Sequence, residues 1–308
     1  MAFFQKGLKA TVMTTELLIN ADVSKKILYE CLEIATNFEK KYSAYQENSL
    51  LSQINRASGV KSVVCTPQEI EIFQKALEIA KLSDGKFDPT IGALTQGLYG
   101  FGMKDSKMPS ESQLQTRKKL VSYKFIEINK SEIYLKHKGM QLDLGAIGKG
   151  YVADKIIEHL IDRGASKALV CVGGEICTFG KKYKIAIRDP FSHNNISLVT
   201  TSKTPLTLST SGDYERFIGS RKNHHILDTQ SAKQQHFYSS VTLLKNGIDA
   251  TTLDAIATIV FNSRVEELGS LAEKFQLTLI AISPQKSIII ENFANLQIES
   301  FKLYPFEF

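Results

Sequence analysis

The chain has 308 residues, a hydrophobic fraction of 43% and a formal net charge of +6. That is ample apolar material for a core, in one large domain or two small ones. The lysines are dispersed rather than gathered into a basic run, which argues against nucleic-acid binding, and no apolar run approaches the roughly 20 residues of a membrane span.

In chain order, the first expected element is a strand from Ala10 to Ile19, rich in Thr, Val and Leu. A helix follows over about Val23 to Lys41, with Leu28, Cys31, Leu32, Ala35 and Phe38 recurring on one face. A second helix starts at a strong signal: Thr66 as N-cap, Pro67 at the first position and Glu69 completing a capping box. It runs to about Leu82 and ends in Ser83-Asp84-Gly85.

The next stretch carries chemistry. Asp84-Gly85-Lys86-Phe87-Asp88-Pro89-Thr90-Ile91-Gly92 leads to Leu98-Tyr99-Gly100-Phe101-Gly102. Asp-Pro marks a turn, and an aromatic pair between glycines can wrap a planar ring. A short helix is expected over Glu111 to Lys119, then short strands at Phe125–Ile128, Ile133–Leu135 and Met140–Leu144.

The second such stretch is Asp143-Leu144-Gly145-Ala146-Ile147-Gly148-Lys149-Gly150-Tyr151, a glycine-rich turn opening a helix that runs to about Arg163. Backbone N–H groups at such a junction make an anion site, and Lys149 adds a cation; a purely structural glycine turn is the alternative. The spacing is neither a Walker sequence nor a dinucleotide fingerprint.

Strands are expected at Ala168–Val172, Tyr183–Arg188, Ile196–Thr201 and Leu206–Ser209. Then comes Ser211-Gly212-Asp213-Tyr214-Glu215-Arg216, followed by His224-His225-Ile226-Leu227-Asp228. A histidine titrating near neutrality can act as a general base, and Arg216 can pair with a phosphate or with Asp213.

Two helices, near Asp254–Asn262 and Val265–Gln276, precede closing strands at Thr278–Ile282 and Ser287–Glu291. In the first of these helices Asp254 and Thr258 stand one turn apart on one face. Two readings fit: an oxygen pair for a hard cation such as Mg²⁺, with a solvent-facing carboxylate, or a capped helix in which Thr258 bonds back to a carbonyl. Strands and helices mix without strict alternation, which argues for α+β with largely antiparallel sheet. Cys31, Cys65, Cys171 and Cys177 match no zinc or redox spacing.

With these segments placed, the chain resembles the ApbE family of FAD:protein FMN transferases from about Ala10 to Ile298. Nine blocks carry the resemblance in order. They are Val12-Met13-Thr14-Thr15, Tyr42-Ser43-Ala44-Tyr45 with Asn55, Gly85–Thr90, Tyr99–Gly102, Leu142–Tyr151, Val172-Gly173-Gly174-Glu175, Thr210–Arg216, His225–Asp228 and Asp254–Thr258.

The resemblance implies a single domain over 1–308, α+β and T-fold-like, with antiparallel sheets, packed helices and an FAD site in a cleft between two halves. It implies Mg²⁺-dependent transfer of FMN from FAD to a Thr or Ser hydroxyl of an acceptor protein, releasing AMP. Asp254, Thr258 and the carbonyl of Ala146 would hold the metal; Met13, Tyr45, Lys86, Phe87, Asp88, Asp143 and Lys149 would line the FAD site; His225 would take the acceptor's proton or steady the leaving phosphate. An FAD pyrophosphatase and a non-catalytic FAD-binding protein are the alternatives. The family pattern is broken at Thr14, where glycine is usual, and at Leu50, where an acid is common. Met1–Lys6 carries no leader signal, so the expected location is cytoplasmic, or periplasmic if a leader has been removed.

Overall fold

The computed structural model describes residues 2–4, 7–101 and 105–306; Gly102 of the aromatic-glycine block lies outside them. In chain order the elements begin with β1 (Ala2–Phe4), β2 (Gly7–Val12), β3 (Thr15–Ala21), α1 (Lys25–Tyr42), α2 (Leu50–Arg56), β4 (Val63–Val64), α3 (Pro67–Leu82) and α4 (Gly92–Leu94). A π-helical turn at Thr95–Tyr99 leads to α5 (Glu111–Lys118), β5 (Ile126–Asn129), β6 (Glu132–Leu135), α6 (Gly148–Asp162), β7 (Ala168–Val172), β8 (Glu175–Phe179), β9 (Lys184–Arg188), β10 (Asn195–Thr201), β11 (Leu206–Gly212) and β12 (Ser240–Asn246). The chain ends with α7 (Ala250–Phe261), α8 (Val265–Lys274), β13 (Thr278–Ile282), β14 (Ile288–Glu291) and β15 (Ile298–Leu303).

The chain forms two compact units: Met1–Asn37 with Ile147–Gly212 and His236–Phe308, and Phe38–Ala146 with Asp213–Gln235. Among the described residues, the first unit holds a nine-stranded sheet in the order β1-β2-β3-β7-β8-β11-β12-β13-β14, antiparallel at every pairing. Its central strands are buried on both sides for a reason legible in β11. Leu206 and Leu208 join Leu244, Ile280 and Ile282 in a cluster with Ile185, Ile187, Ile196 and Val199 of the small β15-β10-β9 sheet. Burying each such side chain contributes about 1.5–3 kcal/mol. The alternate residues, Thr207 and Ser209, are polar, and α6 and α7 pack beside each other against β7, β8, β11 and β12.

The second unit contains α2, α3, α4, α5 and the β4-β6-β5 sheet. Helix α3 starts as its sequence dictates. The Thr66 hydroxyl accepts from Glu69 N, Glu69 Oε2 accepts from Thr66 N at 2.9 Å, and Pro67 occupies the first turn.

Three expectations are corrected. The strand expected over Ala10–Ile19 is a hairpin: Met13 (φ 50°) and Thr14 (φ 60°) are both left-handed and turn the chain between β2 and β3. Met140–Leu144 is not a strand, because side chains replace the ladder. Leu142 N donates to Asn55 Oδ1 at 2.7 Å, Asn55 Nδ2 donates to Leu142 O at 3.1 Å, and only an isolated parallel bridge joins Ile91 to Gln141. The fold does not close at Glu291: β15 pairs with β10, and β8 and β12, unforeseen, lie inside the large sheet.

Thr14 is β-branched at a left-handed turn position. That costs about 1–2 kcal/mol, against about 0.5–1 kcal/mol for the extra freedom of glycine in the unfolded chain. Thr14→Gly is expected to stabilise the protein by about 1 kcal/mol, read as a shift in the midpoint of urea unfolding at unchanged slope.

Candidate active site

Helices α6 and α7 meet at their N-termini, where four backbone N–H groups per helix lack intrahelical partners. Each helix caps the other. Asp154, in the second turn of α6, accepts from Ala250 N and Thr251 N at 2.8 Å each and from Thr251 Oγ1 at 2.6 Å. Asp254, one turn into α7, accepts from Gly150 N at 3.0 Å through Oδ2. The approach is close: a Cβ on Gly150 would lie 2.1 Å from Ala250 O. Only glycine fits there.

The same geometry builds a charged cluster. Lys149 Nζ donates to Asp254 Oδ1 at 3.0 Å and to Glu175 Oε1 at 2.5 Å. Glu175 opens β8 directly after Gly173 (φ 64°) and Gly174, where a Cβ on Gly174 would meet Thr210 O at 2.6 Å. Glu175 is fully buried and Asp254 is 1% exposed. Ser209 Oγ reaches Glu175 Oε1 at 3.4 Å, while Glu175 Oε2 is buried with no hydrogen-bond partner. Burial and the Asp254 charge push the Glu175 carboxyl well above its usual range, with Lys149 pulling the other way. Burial works against the Lys149 ammonium, yet the Asp254 and Glu175 charges override it and raise its pKa.

Thr258 Oγ1 donates to Ala255 O at 2.8 Å. Its proton is therefore spent on the backbone and its lone pairs remain for an electrophile. Met13 lies half-buried in the β2–β3 turn of the same unit.

The second unit arranges its polar residues on loops. Asp143 Oδ2 accepts from Thr95 Oγ1 at 2.5 Å and Oδ1 from Gly145 N at 2.7 Å, an Asx-type turn. Asp88 is buried and fully committed, with Oδ1 accepting from Thr90 N and Oγ1 and Oδ2 accepting from Tyr123 N at 2.6 Å. Burial raises its pKa and these bonds oppose that shift. Phe87 is buried beside it and Lys86 half-buried. Tyr45 is 56% exposed, and its hydroxyl donates to Phe101 O at 2.7 Å. Burial of that hydroxyl raises its pKa, helped by the Asp143 charge and opposed by Arg216.

His225 sits at the base of a hairpin-like turn, its backbone N donating to Arg216 O at 3.0 Å. Its Nδ1 lies 3.1 Å from the same carbonyl. A carbonyl only accepts, so Nδ1 carries the proton and Nε2 the lone pair of the neutral ring. Thr229 Oγ1 donates to Gly85 O at 2.6 Å, which ties this segment to the Lys86–Asp88 loop.

The sequence matches the model of the ApbE family over residues 10–282. The chain belongs to the ApbE family. Among its relatives is a FAD:protein FMN transferase of Klebsiella pneumoniae, 26% identical over 266 residues, covering 84% of this chain and 83% of the relative. Another, from Treponema pallidum, is 28% identical and covers 85% and 78%. The crystal structure of the ApbE protein of Thermotoga maritima superposes with a TM-score of 0.85 at 25% identity, covering 96% of this chain and 99% of that one. The flavin transferase ApbE of Vibrio cholerae shares the fold at 24% identity with a TM-score of 0.80, covering 92% and 95%.

Of the residues singled out from the sequence of this ApbE chain, one unit brings together Lys149, Asp254 and Thr258, with Met13 on a separate turn. The other gathers Tyr45, Lys86, Phe87, Asp88, Asp143, Ala146 and His225. Two expectations fail. Asp254 does not face solvent, because α6 covers it. Tyr99 and Phe101 do not offer a clamp for a planar ring: they stack on each other at 4.9 Å, buried with Leu94, Leu114, Leu227 and Ala232, and Gly100 (φ 63°) makes that return possible. Asp213 is paired with Arg221 at 2.6 Å. Sequence reasoning passed over Glu175 and Asp154 as site residues. An acid directly after Gly-Gly at a strand's start, and another one turn past Gly150, were the available signals.

Asp154→Ala orphans two buried N–H groups at about 1–3 kcal/mol each. The variant is expected to lose about 3 kcal/mol of stability in urea unfolding, with Asp154→Asn losing less.

Proposed function

We propose that this ApbE-family chain transfers FMN from FAD to a Thr or Ser hydroxyl of an acceptor protein and releases AMP. The observation that carries the site assignment is the Lys149 ammonium held between Asp254 and Glu175 at the junction of α6 and α7. Family membership and the relatives' shared activity support the reaction class.

The donor set fits Mg²⁺. Asp254 and Thr258 offer oxygens only, and the Thr258 lone pairs are not used up by its bond to Ala255. With the carbonyl of Ala146, Asp254 and Thr258 would hold the ion. When bound, it would neutralise charge on the FAD diphosphate.

The chain's own residues supply the rest. Lys149 presents a fixed cation to a phosphate oxygen. Tyr45, Lys86, Phe87, Asp143 and Met13 would line the FAD site, and Asp88 would act through the loop it organises. In the transfer step the acceptor hydroxyl oxygen bonds to the FMN phosphorus and the bond from that phosphorus to the AMP oxygen breaks. His225 Nε2, whose lone pair the Arg216 carbonyl fixes, receives the hydroxyl proton. Such a base contributes about 10²–10⁴-fold.

The test is incubation with FAD, Mg²⁺ and a flavinylatable acceptor, followed by a denaturing gel under ultraviolet light. A fluorescent acceptor band is expected. Free FMN and AMP without a labelled acceptor would replace transfer by hydrolysis, and intact bound FAD would leave a carrier. His225→Ala is expected to lower kcat by about 10²–10⁴-fold with FAD affinity held; an equal loss in both would make His225 a binding residue. Because Asp254 is buried, Asp254→Asn rather than alanine tests the metal: Mg²⁺-dependent turnover should vanish while the circular dichroism spectrum is kept.

A further inference from the structure

Asn55 stands near the end of α2, a helix fixed at its start by the Ser49 hydroxyl, which accepts from Ser52 N at 3.0 Å, and in the core by Leu51 and Ile54. The chain leaving α2 grips the 135–142 segment. Gly59 N donates to Leu135 O at 2.8 Å, and Ser58 Oγ accepts from Gly139 N at 3.2 Å. Asn55 makes the last grip and takes both backbone groups of Leu142. Its Oδ1 accepts from Leu142 N at 2.7 Å, and its Nδ2 donates to Leu142 O at 3.1 Å; Gln96 Nε2 reaches that carbonyl only at 3.5 Å. A primary amide carries a donor and an acceptor in one plane, as a peptide group does. Asn55 thus stands in for one residue of a neighbouring strand, and its two bonds fix both the place and the tilt of the Leu142 backbone.

The next residue is Asp143. Its backbone N donates to Pro89 O at 2.8 Å, and its carboxylate accepts from Thr95 Oγ1 and Gly145 N. Leu142 is buried and Asp143 half-buried. A shift of the Leu142 backbone is therefore carried straight into the Asp143 carboxylate.

We propose that Asn55 is a positioning residue for FAD: its amide holds the Leu142 backbone and so sets where the Asp143 carboxylate is presented to the nucleotide. The inference rests on Asp143 lining the FAD site. Without the amide, the buried Leu142 N–H loses its acceptor, a cost the segment relieves by moving. FAD then binds only the fraction of molecules in which Asp143 is in place, and the apparent affinity falls by that fraction. The effect passes through Asp143, which separates positioning from a general loss of stability.

The experiment is equilibrium dialysis of the full chain with FAD alone, without Mg²⁺ or acceptor, run as a double-mutant cycle. Asn55→Ala is expected to raise the Kd for FAD by about tenfold, and Asp143→Ala to raise it at least as much. Added to Asp143→Ala, Asn55→Ala is expected to change nothing further, because the group it positions is gone. Effects that multiply in the double variant overturn the proposal. If Asp143→Ala binds FAD like the parent, the Asp143 assignment fails and takes the proposal with it. If Asp143→Ala loses affinity while Asn55→Ala keeps it, the Asp143 assignment stands and the role of Asn55 is refuted. A parent chain that retains no FAD removes the FAD site itself. Should Asn55→Ala fail to fold, Asn55→Asp runs the same cycle. It has the same shape and keeps an acceptor for Leu142 N but sets an oxygen against Leu142 O, and its loss of affinity must likewise vanish beside Asp143→Ala.

Discussion

Two helix N-termini pressed together are an electrostatic problem, since both present the positive end of a macrodipole and unpaired N–H groups. This fold answers it with an exchange. Asp154 of α6 closes the first turn of α7, and Asp254 of α7 closes the first turn of α6. The exchange requires near-contact of backbones, which Gly150 permits, and it fixes the rotation of each helix about its axis. Everything charged at the junction follows: once Asp254 must reach Gly150 N, its other oxygen lies within reach of Lys149, one residue earlier on the same turn.

The large sheet explains why the cluster forms on one side only. Strand β11 sends Leu206 and Leu208 into the apolar cluster shared with the small sheet, while Thr207 and Ser209 alternate with them. Thr207 Oγ1 donates to Gly247 O at 2.8 Å and accepts from Asp249 N at 3.2 Å, bracing the approach to α7; Ser209 meets Glu175. Period-2 alternation thus separates a dry face, which supplies stability, from a polar face, which places functional groups. The oxygen- and charge-bearing residues sit against a surface that the hydrophobic cluster holds rigid from behind.

What the sequence made legible were features whose cause is local. The capping box of Thr66, Pro67 and Glu69, the glycine-rich opening of α6 and the helical spacing of Asp254 and Thr258 all survive in the structure because neighbouring residues determine them. What stayed hidden depended on distant partners. Met140–Leu144 reads as a strand by alternation, but Asn55, 87 residues away along the chain at Leu142, satisfies its backbone instead. Strand β12 alternates only over Ser240-Val241-Thr242-Leu243 before Leu244 breaks the pattern, and burial on both faces hides which side is the core. Asp154 looked like one polar residue within an amphipathic helix, and its meaning appears only when the start of α7 arrives 96 residues later. Glu175 was visible within a family block, but not as the second carboxylate on Lys149. The aromatic pair at Tyr99 and Phe101 misled because glycine flanks permit either an open clamp or a tight return into a core, and the apolar neighbours Leu94 and Leu114 decide for the core.

The loops of the second unit follow a different logic from the helices of the first, and the contrast bears on mechanism. Around Asp88, Asp143 and His225, side chains bond to nearby backbone, or backbone to side chain, so each loop is fixed without belonging to a sheet or helix. For His225 the support is chemical as well as geometric. One carbonyl, that of Arg216, takes both the residue's backbone N–H and its ring Nδ1–H, so the orientation of the ring and the turn that carries it are set by one acceptor. Displacing that carbonyl would free the ring to present its other tautomer, so the backbone at Arg216 governs which ring nitrogen of His225 carries the proton, whatever side chain stands at position 216.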